Sequence, residues 1–391
     1  MKIVIIPSAD LSYNSGSVIY AKRLFEFLLS QGHEVYILSS CIPDDICEEY
    51  KGYVKVKGHL LFHPIIDDRP IENLQHLKMG ADILSALIEI YEEWGRIDII
   101  HAHYASLNSY IPVLFRNFIG TTIVVSSFGR DLNIGYEISP LIRYFIDESY
   151  RNVDLIIVPD ILLEEKIIRL FPFVRKEKIH VCPMPFDDRV LTAEKYTSHQ
   201  ANEVIFSTIN SCFTQEKGID SIIIAFSKVV ENYGNCKLYI AGEDDDENKI
   251  NYLRLKKLVA TLEIEDKVFF TGFLSRQSVG SLLNCTDIFI DARRNGNFSS
   301  VLIEAEFKHK VIISSDNDAA KRIIIDGVNG VLFKNGDTND LVQKIASLLR
   351  DEDRRAALIN GTKEWCVSHG KEYTSETCMK KTIELYETAM E

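Results

Sequence analysis

What the chain lacks narrows its class. Its eight cysteines (41, 47, 182, 212, 236, 285, 366 and 378) include no Cys-x-x-Cys pair, so neither a zinc knuckle nor a disulfide framework is indicated. There is no run of four or more Lys/Arg residues, and the formal net charge is −13. That argues against a general nucleic-acid binder and against docking on an anionic membrane through net charge. No apolar run approaches the roughly 18 residues that a membrane span needs. The opening "MKIVIIPSAD" turns polar after a few apolar residues, too soon for the h-region of a signal peptide. A reducing cytoplasm is the expected location. Solenoid repeats and low-complexity segments are missing as well.

What the chain has is length and alternation. At 391 residues, 46% hydrophobic and 26% charged, it can bury two cores of ordinary size. "KIVIIP" (2–7) reads as a buried strand, and 17–31 carries apolar side chains at 18, 21, 24, 25, 28 and 29, a helical stripe. Strands at 33–40, 97–103, 121–127 and 153–160 follow, with helices around 79–94, 106–118 and 139–151 between them. After a polar, irregular stretch at 183–202 the alternation resumes, with strands near 204–210, 237–241, 267–271, 287–291, 310–315 and 331–333. Such a pattern predicts α/β architecture: two doubly wound, Rossmann-like domains with parallel sheets, facing each other across a cleft, with ligands at the carboxyl ends of the strands. The expected division is a first domain at 1–185, a linker at 186–202, a second domain at 203–371, and a helix at 372–391 returning to the first domain.

Several junctions carry chemistry. Lys217 and Gly218 stand between a strand and the helical run "SIIIAFSKVV", where a lysine commonly reaches for phosphate. The turn "GNFSS" (296–300) precedes another helix, so the amides of Asn297, Phe298, Ser299 and Ser300 are suited to a diphosphate. Gly16, in "SYNSGS", opens the first long helix in the same way. His101 and His103 end a strand on one side of it; no third ligand for a metal is evident near them. Asp131 serves equally as a loop brace, a ligand-binding group or a helix N-cap. The acidic run "GEDDDE" (242–247) reads as a solvated loop rather than a metal site.

Taken in order, "SYNSGSVIYAKRLFEFLLSQGHEVYILSS" (12–40), "DIIHAHY" (98–104), "SFGRDL" (127–132), "EKGID" (216–220), "KLYIAGEDD" (237–245), "KVFFTGFL" (267–274), "NFSSVLIEAE" (297–306) and "DGVNGVLFKNGD" (326–337) resemble the retaining glycosyltransferases of family 4, which have the GT-B fold. The resemblance spans nearly the whole chain. It implies a metal-independent transfer of a sugar from a nucleotide diphosphate sugar, with no further cofactor, to an acceptor hydroxyl. By the same resemblance, Glu304 holds the ribose hydroxyls and Lys217 stabilises the departing diphosphate. Arg293, Gly242 and Phe273 are further candidates for the donor side. His103, Asp131 and Gly16 are candidates for the sugar and acceptor side.

Three positions depart from the family pattern. Cys212 stands where an arginine would help Lys217, Phe128 replaces a sugar-contacting histidine, and Gly296 replaces a sugar-binding carboxylate. Arg293, Arg294 and Arg130 are the arginines that could fill the first vacancy. The departures keep open a nucleotide- or partner-binding protein of the same fold without catalysis. A sugar-nucleotide epimerase is also conceivable, but no paired acid and base supports it.

Overall fold

The computed structural model describes residues 1–13, 15–44, 46–58, 70–138, 140–193, 203–244, 248–294 and 299–391. Its packing divides it into two compact units, Met1–Met184 with Glu376–Glu391, and Pro185–Ser375. Among the described residues no helix is long and apolar enough to cross a membrane.

The first unit holds a seven-stranded sheet: β1 (Lys2–Ile6), β2 (Glu34–Ser39), β3 (Val54–Val56), β4 (Ile99–His103), β5 (Thr122–Ser126), β6 (Leu155–Val158) and β7 (Ile179–Val181). Its order is β3-β2-β1-β4-β5-β6-β7, and every pairing is parallel. Helices cover both faces, so the central strands are apolar on both sides, as "KIVII" and "IIHAH" show. The edge strands β3 and β7 were absent from the sequence reading; at three residues each they leave no periodic signal. Helix α1 (Gly16–Ser30) buries Val18, Ala21, Leu24, Phe25 and Leu28, as its stripe predicts. The helix expected at 79–94 begins earlier and runs Pro70–Trp94.

The C-terminal helix Ser375–Met390 belongs, from Glu376 on, to this first unit. Buried polar pairs hold it. The Tyr386 hydroxyl is 2.6 Å from His101 Nδ1, Tyr20 Oη is 3.1 Å from Thr382 Oγ1, and Cys182 Sγ donates to the Cys378 carbonyl at 3.5 Å.

The second unit holds six parallel strands: β8 (Val204–Cys212), β9 (Cys236–Glu243), β10 (Val268–Gly272), β11 (Ile288–Asp291), β12 (Val311–Ser315) and β13 (Val331–Phe333). All six match the strands read from sequence. Their order is β10-β9-β8-β11-β12-β13. Three helices matter below: α2 (Ile219–Val230), α3 (Arg276–Cys285) and α4 (Ser300–Phe307). Residues 186–193, within the stretch read as linker, pack on this unit; the Phe186 and Phe307 ring centroids are 4.1 Å apart.

In each sheet the winding reverses between two neighbouring strands, β1 and β4 in the first and β8 and β11 in the second. Connections leave those strands toward opposite faces, which opens a crevice beyond their carboxyl ends.

One core residue has a consequence for stability. Glu306 on α4 is fully buried, its Oε1 accepts from Asn329 Nδ2 at 2.8 Å, and its Oε2 has no partner among the described residues. Burial drives its pKa up to about 9, against a small opposing effect of Asn329. The folded protein therefore keeps this proton when the unfolded chain, titrating near 4.5, has lost it. The stabilisation is complete below that value and disappears as pH climbs toward about 9. Glu306→Gln is expected to remove a slope of up to about 1.4 kcal/mol per pH unit from this interval. Urea unfolding at several pH values checks it; parallel slopes in both proteins would contradict it.

Candidate functional site

Lys217 lies in a short 3-10 turn, Gln215–Lys217, just beyond β8. Gly218 follows with φ +65°, and a Cβ there would stand 2.1 Å from the Ala292 carbonyl oxygen. Only glycine lets the turn come so close to the end of β11. Arg294 clamps the same turn from the other side. Its amide donates to Glu216 O at 2.7 Å, its Nη1 to Gln215 O at 2.8 Å, and its Nη2 to both Asp220 oxygens at 2.9 and 3.0 Å. Arg294 is thereby committed to holding Lys217's turn. Cys212 is buried, with its Sγ 3.9 Å from Thr214 Oγ1.

Arg293, the adjacent arginine, is buried with its Nε 3.6 Å from Asp291 Oδ1. The Asp291 Oδ2 accepts from Ser299 Oγ at 2.8 Å, tying the start of α4 to β11. Ser299 and Ser300 form the N-terminal end of that helix. Asn297 and Phe298 lie outside the described residues, as does Gly296. Gly242, at the end of β9, packs on the Asn210 carbonyl. The amide of Phe273, whose ring is exposed, donates to Glu243 Oε1 at 3.2 Å. Asp244, in the acidic run, accepts from the Tyr252 amide at 2.8 Å and from Asn251 Nδ2 at 3.2 Å, a loop role; 245–247 lie outside the described residues.

Glu304 is 1% exposed. One of its oxygens, Oε1, receives Arg276 Nη2, while Oε2 is buried with no hydrogen-bond partner among the described residues. Arg276 Nε is also 3.4 Å from Asp187 Oδ2, and Arg189 grips Asp187 through Nε (3.0 Å to Oδ1) and Nη2 (2.7 Å to Oδ2). Two carboxylates and two guanidinium groups thus neutralise one another in a poorly hydrated place. Burial still raises the Glu304 pKa, and Arg276 opposes that rise. The carboxylate thus has one anchored oxygen and one buried oxygen whose acceptor capacity is unused among the described residues.

In the first unit, Gly16 opens α1, whose cap residue Ser15 makes no side-chain capping bond. Beside it, Asp10 accepts from the Ser12 and Ser40 amides at 2.9 and 2.6 Å and from their hydroxyls, fixing the loop between β1 and α1. Burial works to raise its pKa, but the Ser12 and Ser40 bonds outweigh it and bring it to about 2. His101 is satisfied on both ring nitrogens, by Tyr386 Oη and by Ser126 Oγ at 2.7 Å, and is a structural residue. His103 differs. It is fully buried, stacks on Tyr20 at 5.4 Å, and neither nitrogen has a hydrogen-bond partner among the described residues. Burial lowers its pKa to about 3, so its ring is neutral near pH 7 and is no reservoir of charge.

Phe128 lies in the same aromatic group, 5.4 Å from His103 and 5.9 Å from Tyr104. Asp131 is buried, and its carboxylate accepts from the amides of Ala105 (3.2 Å) and Gly129 (3.1 Å). Of its three possible roles, this geometry is that of the loop brace. Arg130, next to it, keeps a buried Nε without a hydrogen bond among the described residues.

Among the described residues no group of three or more His, Cys, Asp or Glu side chains could hold a metal ion. Sequence reading passed over Asp187, Arg276 and Asp10. Arg276 did leave a signal: a cation at the first position of a helix opposes the helix dipole and needs nearby anions to be held there.

The sequence profile described as Glycosyltransferase Family 4 matches residues 14–190, and that described as Glycosyl transferases group 1 matches residues 196–365. An uncharacterized glycosyltransferase of Methanocaldococcus jannaschii is 25% identical, over 98% of this chain and 97% of its own length. The N-acetyl-alpha-D-glucosaminyl L-malate synthase of Bacillus anthracis is 24% identical, over 86% of this chain and 85% of its own. Among solved structures, Anabaena HepE in complex with UDP-glucose superposes with a TM-score of 0.78 at 15% identity, over 99% of this chain and 100% of that one.

The tight approach at Gly218 yields a direct test. Gly218→Ala adds both a clash with a backbone carbonyl and a strained left-handed residue, so it is expected to destabilise the protein by about 1–3 kcal/mol. Urea unfolding measures the loss; unchanged stability would contradict this reading of the turn.

Proposed function

Because this chain belongs to the glycosyltransferases, its halves matching family 4 and group 1, we propose that it moves a hexose from a nucleotide diphosphate sugar to an acceptor hydroxyl, with retention at the anomeric carbon and no bound metal. The observation that carries this reading is the buried Oε2 of Glu304, unpaired among the described residues, beyond β11 in the unit whose neighbouring strand end carries the clamped Lys217 turn. A carboxylate oxygen suits a ribose hydroxyl, and the start of α4 with Lys217 suits the diphosphate. The hexose is favoured by HepE, solved with UDP-glucose, and by the N-acetyl-glucosaminyl name of the Bacillus anthracis relative.

In the proposed reaction the bond between the anomeric carbon and the diphosphate oxygen breaks. The acceptor oxygen bonds to the same face of that carbon, and its proton passes to the departing diphosphate. Negative charge grows on the diphosphate as the bond breaks, which is where the Lys217 ammonium contributes. His103, neutral and buried, shapes the first unit's site rather than exchanging a proton with water near pH 7. Asp131 acts through the loop that its carboxylate holds.

A second reading has one specific observation in its favour. Cys212 is a buried thiol where the resemblance places a cation, and Arg294 is spent on the Lys217 turn. A protein with such a site could bind a nucleotide without transferring its sugar.

Calorimetric titration with UDP, GDP, ADP and dTDP separates the possibilities. One nucleotide is expected to bind, and Lys217→Ala to weaken it at least tenfold, about 1.4 kcal/mol. Failure of all four to bind would overturn the donor-site reading. Binding without release of the nucleotide from any matching nucleotide sugar would favour the second reading.

A further inference from the structure

We infer that Arg276 is a positioning residue for nucleotide recognition: held by Asp187, it anchors one oxygen of Glu304 so that the other is aimed at a ribose hydroxyl. This rests on the proposed role of Glu304 in gripping the ribose. The division of labour between the two carboxylate oxygens is what motivates it. Oε1 is occupied by Arg276 Nη2, whereas Oε2 is buried and empty-handed among the described residues.

Arg276 is itself held from behind. Its side chain is 15% exposed and lies between two carboxylates that are nearly inaccessible, Glu304 at 1% and Asp187 at 2%. Asp187 takes the bidentate grip of Arg189, so it cannot swing away to follow Arg276. Its segment is pinned where the Val190 carbonyl meets α3: a Cβ on Gly280 would come within 2.2 Å of that oxygen. The start of α3 is fixed in turn by Ser275, whose Oγ accepts from the Ser278 amide at 3.2 Å. A cation at the first position of a helix works against the helix dipole. Placing one there is understandable if its task is to face the two acids.

The geometry also states what losing Arg276 does. Without its guanidinium the buried Glu304 carboxyl faces Asp187 alone, with burial favouring the protonated form. A protonated or rotated carboxyl no longer offers the same acceptor to a hydroxyl. A group that merely stabilised the fold would not affect one hydroxyl of the ligand selectively.

The test is the ratio of affinities for UDP and 2′-deoxy-UDP, with GDP and 2′-deoxy-GDP in parallel, measured by calorimetry on the full chain. The unaltered protein is expected to prefer the ribonucleotide at least tenfold. Glu304→Gln and Arg276→Met are expected to bring the ratio to within about threefold, and Arg276→Lys to restore an intermediate value. Lys217→Ala serves as the control: it lowers both affinities and leaves the ratio unchanged. If Arg276→Met does not fold by circular dichroism, the Arg276→Lys ratio decides alone. A folded Arg276 variant that keeps the full ratio, while Glu304→Gln loses it, overturns the inference and leaves the donor site standing. If neither UDP nor GDP binds, the ratio is taken with ADP and 2′-deoxy-ADP; failure of UDP, GDP and ADP alike, or an unaltered protein that binds the deoxynucleotide equally well, overturns the inference.

Discussion

A carboxylate buried to 1% exposure must be matched by charge or give up its own, and the second unit is arranged around that demand at Glu304. The nearest cation, Arg276, comes from the first position of a neighbouring helix, where the dipole disfavours it. Arg276 needs Asp187, and Asp187 needs Arg189, so the segment at 185–193 is drawn onto the unit. Removing one partner of such a group leaves a buried charge uncompensated, a cost of about 3–5 kcal/mol in comparable cases. Among the described residues, Oε2 of Glu304 is the carboxylate oxygen of this cluster that is left without a hydrogen bond.

The sheets determine where these groups sit. In the second unit the winding reverses between β8 and β11, and the Lys217 turn leaves one strand while Arg293, Arg294 and α4 leave the other. Gly218 lets the two ends approach, and Arg294 locks them together. The first unit repeats the scheme between β1 and β4 with different chemistry. There Asp10 and Asp131 spend their carboxylates on backbone amides and loop hydroxyls, and the buried ring of His103 is neutral near pH 7. One unit therefore gathers charged side chains near these strand ends, and the other gathers aromatic rings and braced loops.

Much of this was legible in the sequence, and the reasons for the rest are physical. Buried parallel strands are short continuous apolar runs, so the six strands of the second unit and five of the first could be placed directly. The edge strands β3 and β7 are too short for any pattern. The helix from Pro70 begins ahead of its apolar stripe, which is why its start was missed. Lys217 and Gly218 were visible as a junction, and Arg294 as one of three arginines that could stand beside it. It could not tell that Arg294 would be consumed by Asp220, 74 residues away. Arg276 and Asp187 were harder still. Their meaning lies in an ion pair across 89 residues, and no local pattern announces it. The family resemblance pointed to Glu304, but only the three-dimensional arrangement distinguishes its anchored oxygen from its unpaired one.

Hydrogen exchange of the full chain with and without UDP-glucose, then with GDP- and ADP-linked sugars, tests the central claim most directly. With the donor that binds, the account expects slowed exchange at the Lys217 turn, 215–220, and at the start of α4, 299–304. Those segments flank the β8–β11 reversal. Unchanged exchange at both segments with every donor, or protection confined to other parts of the chain, would contradict it.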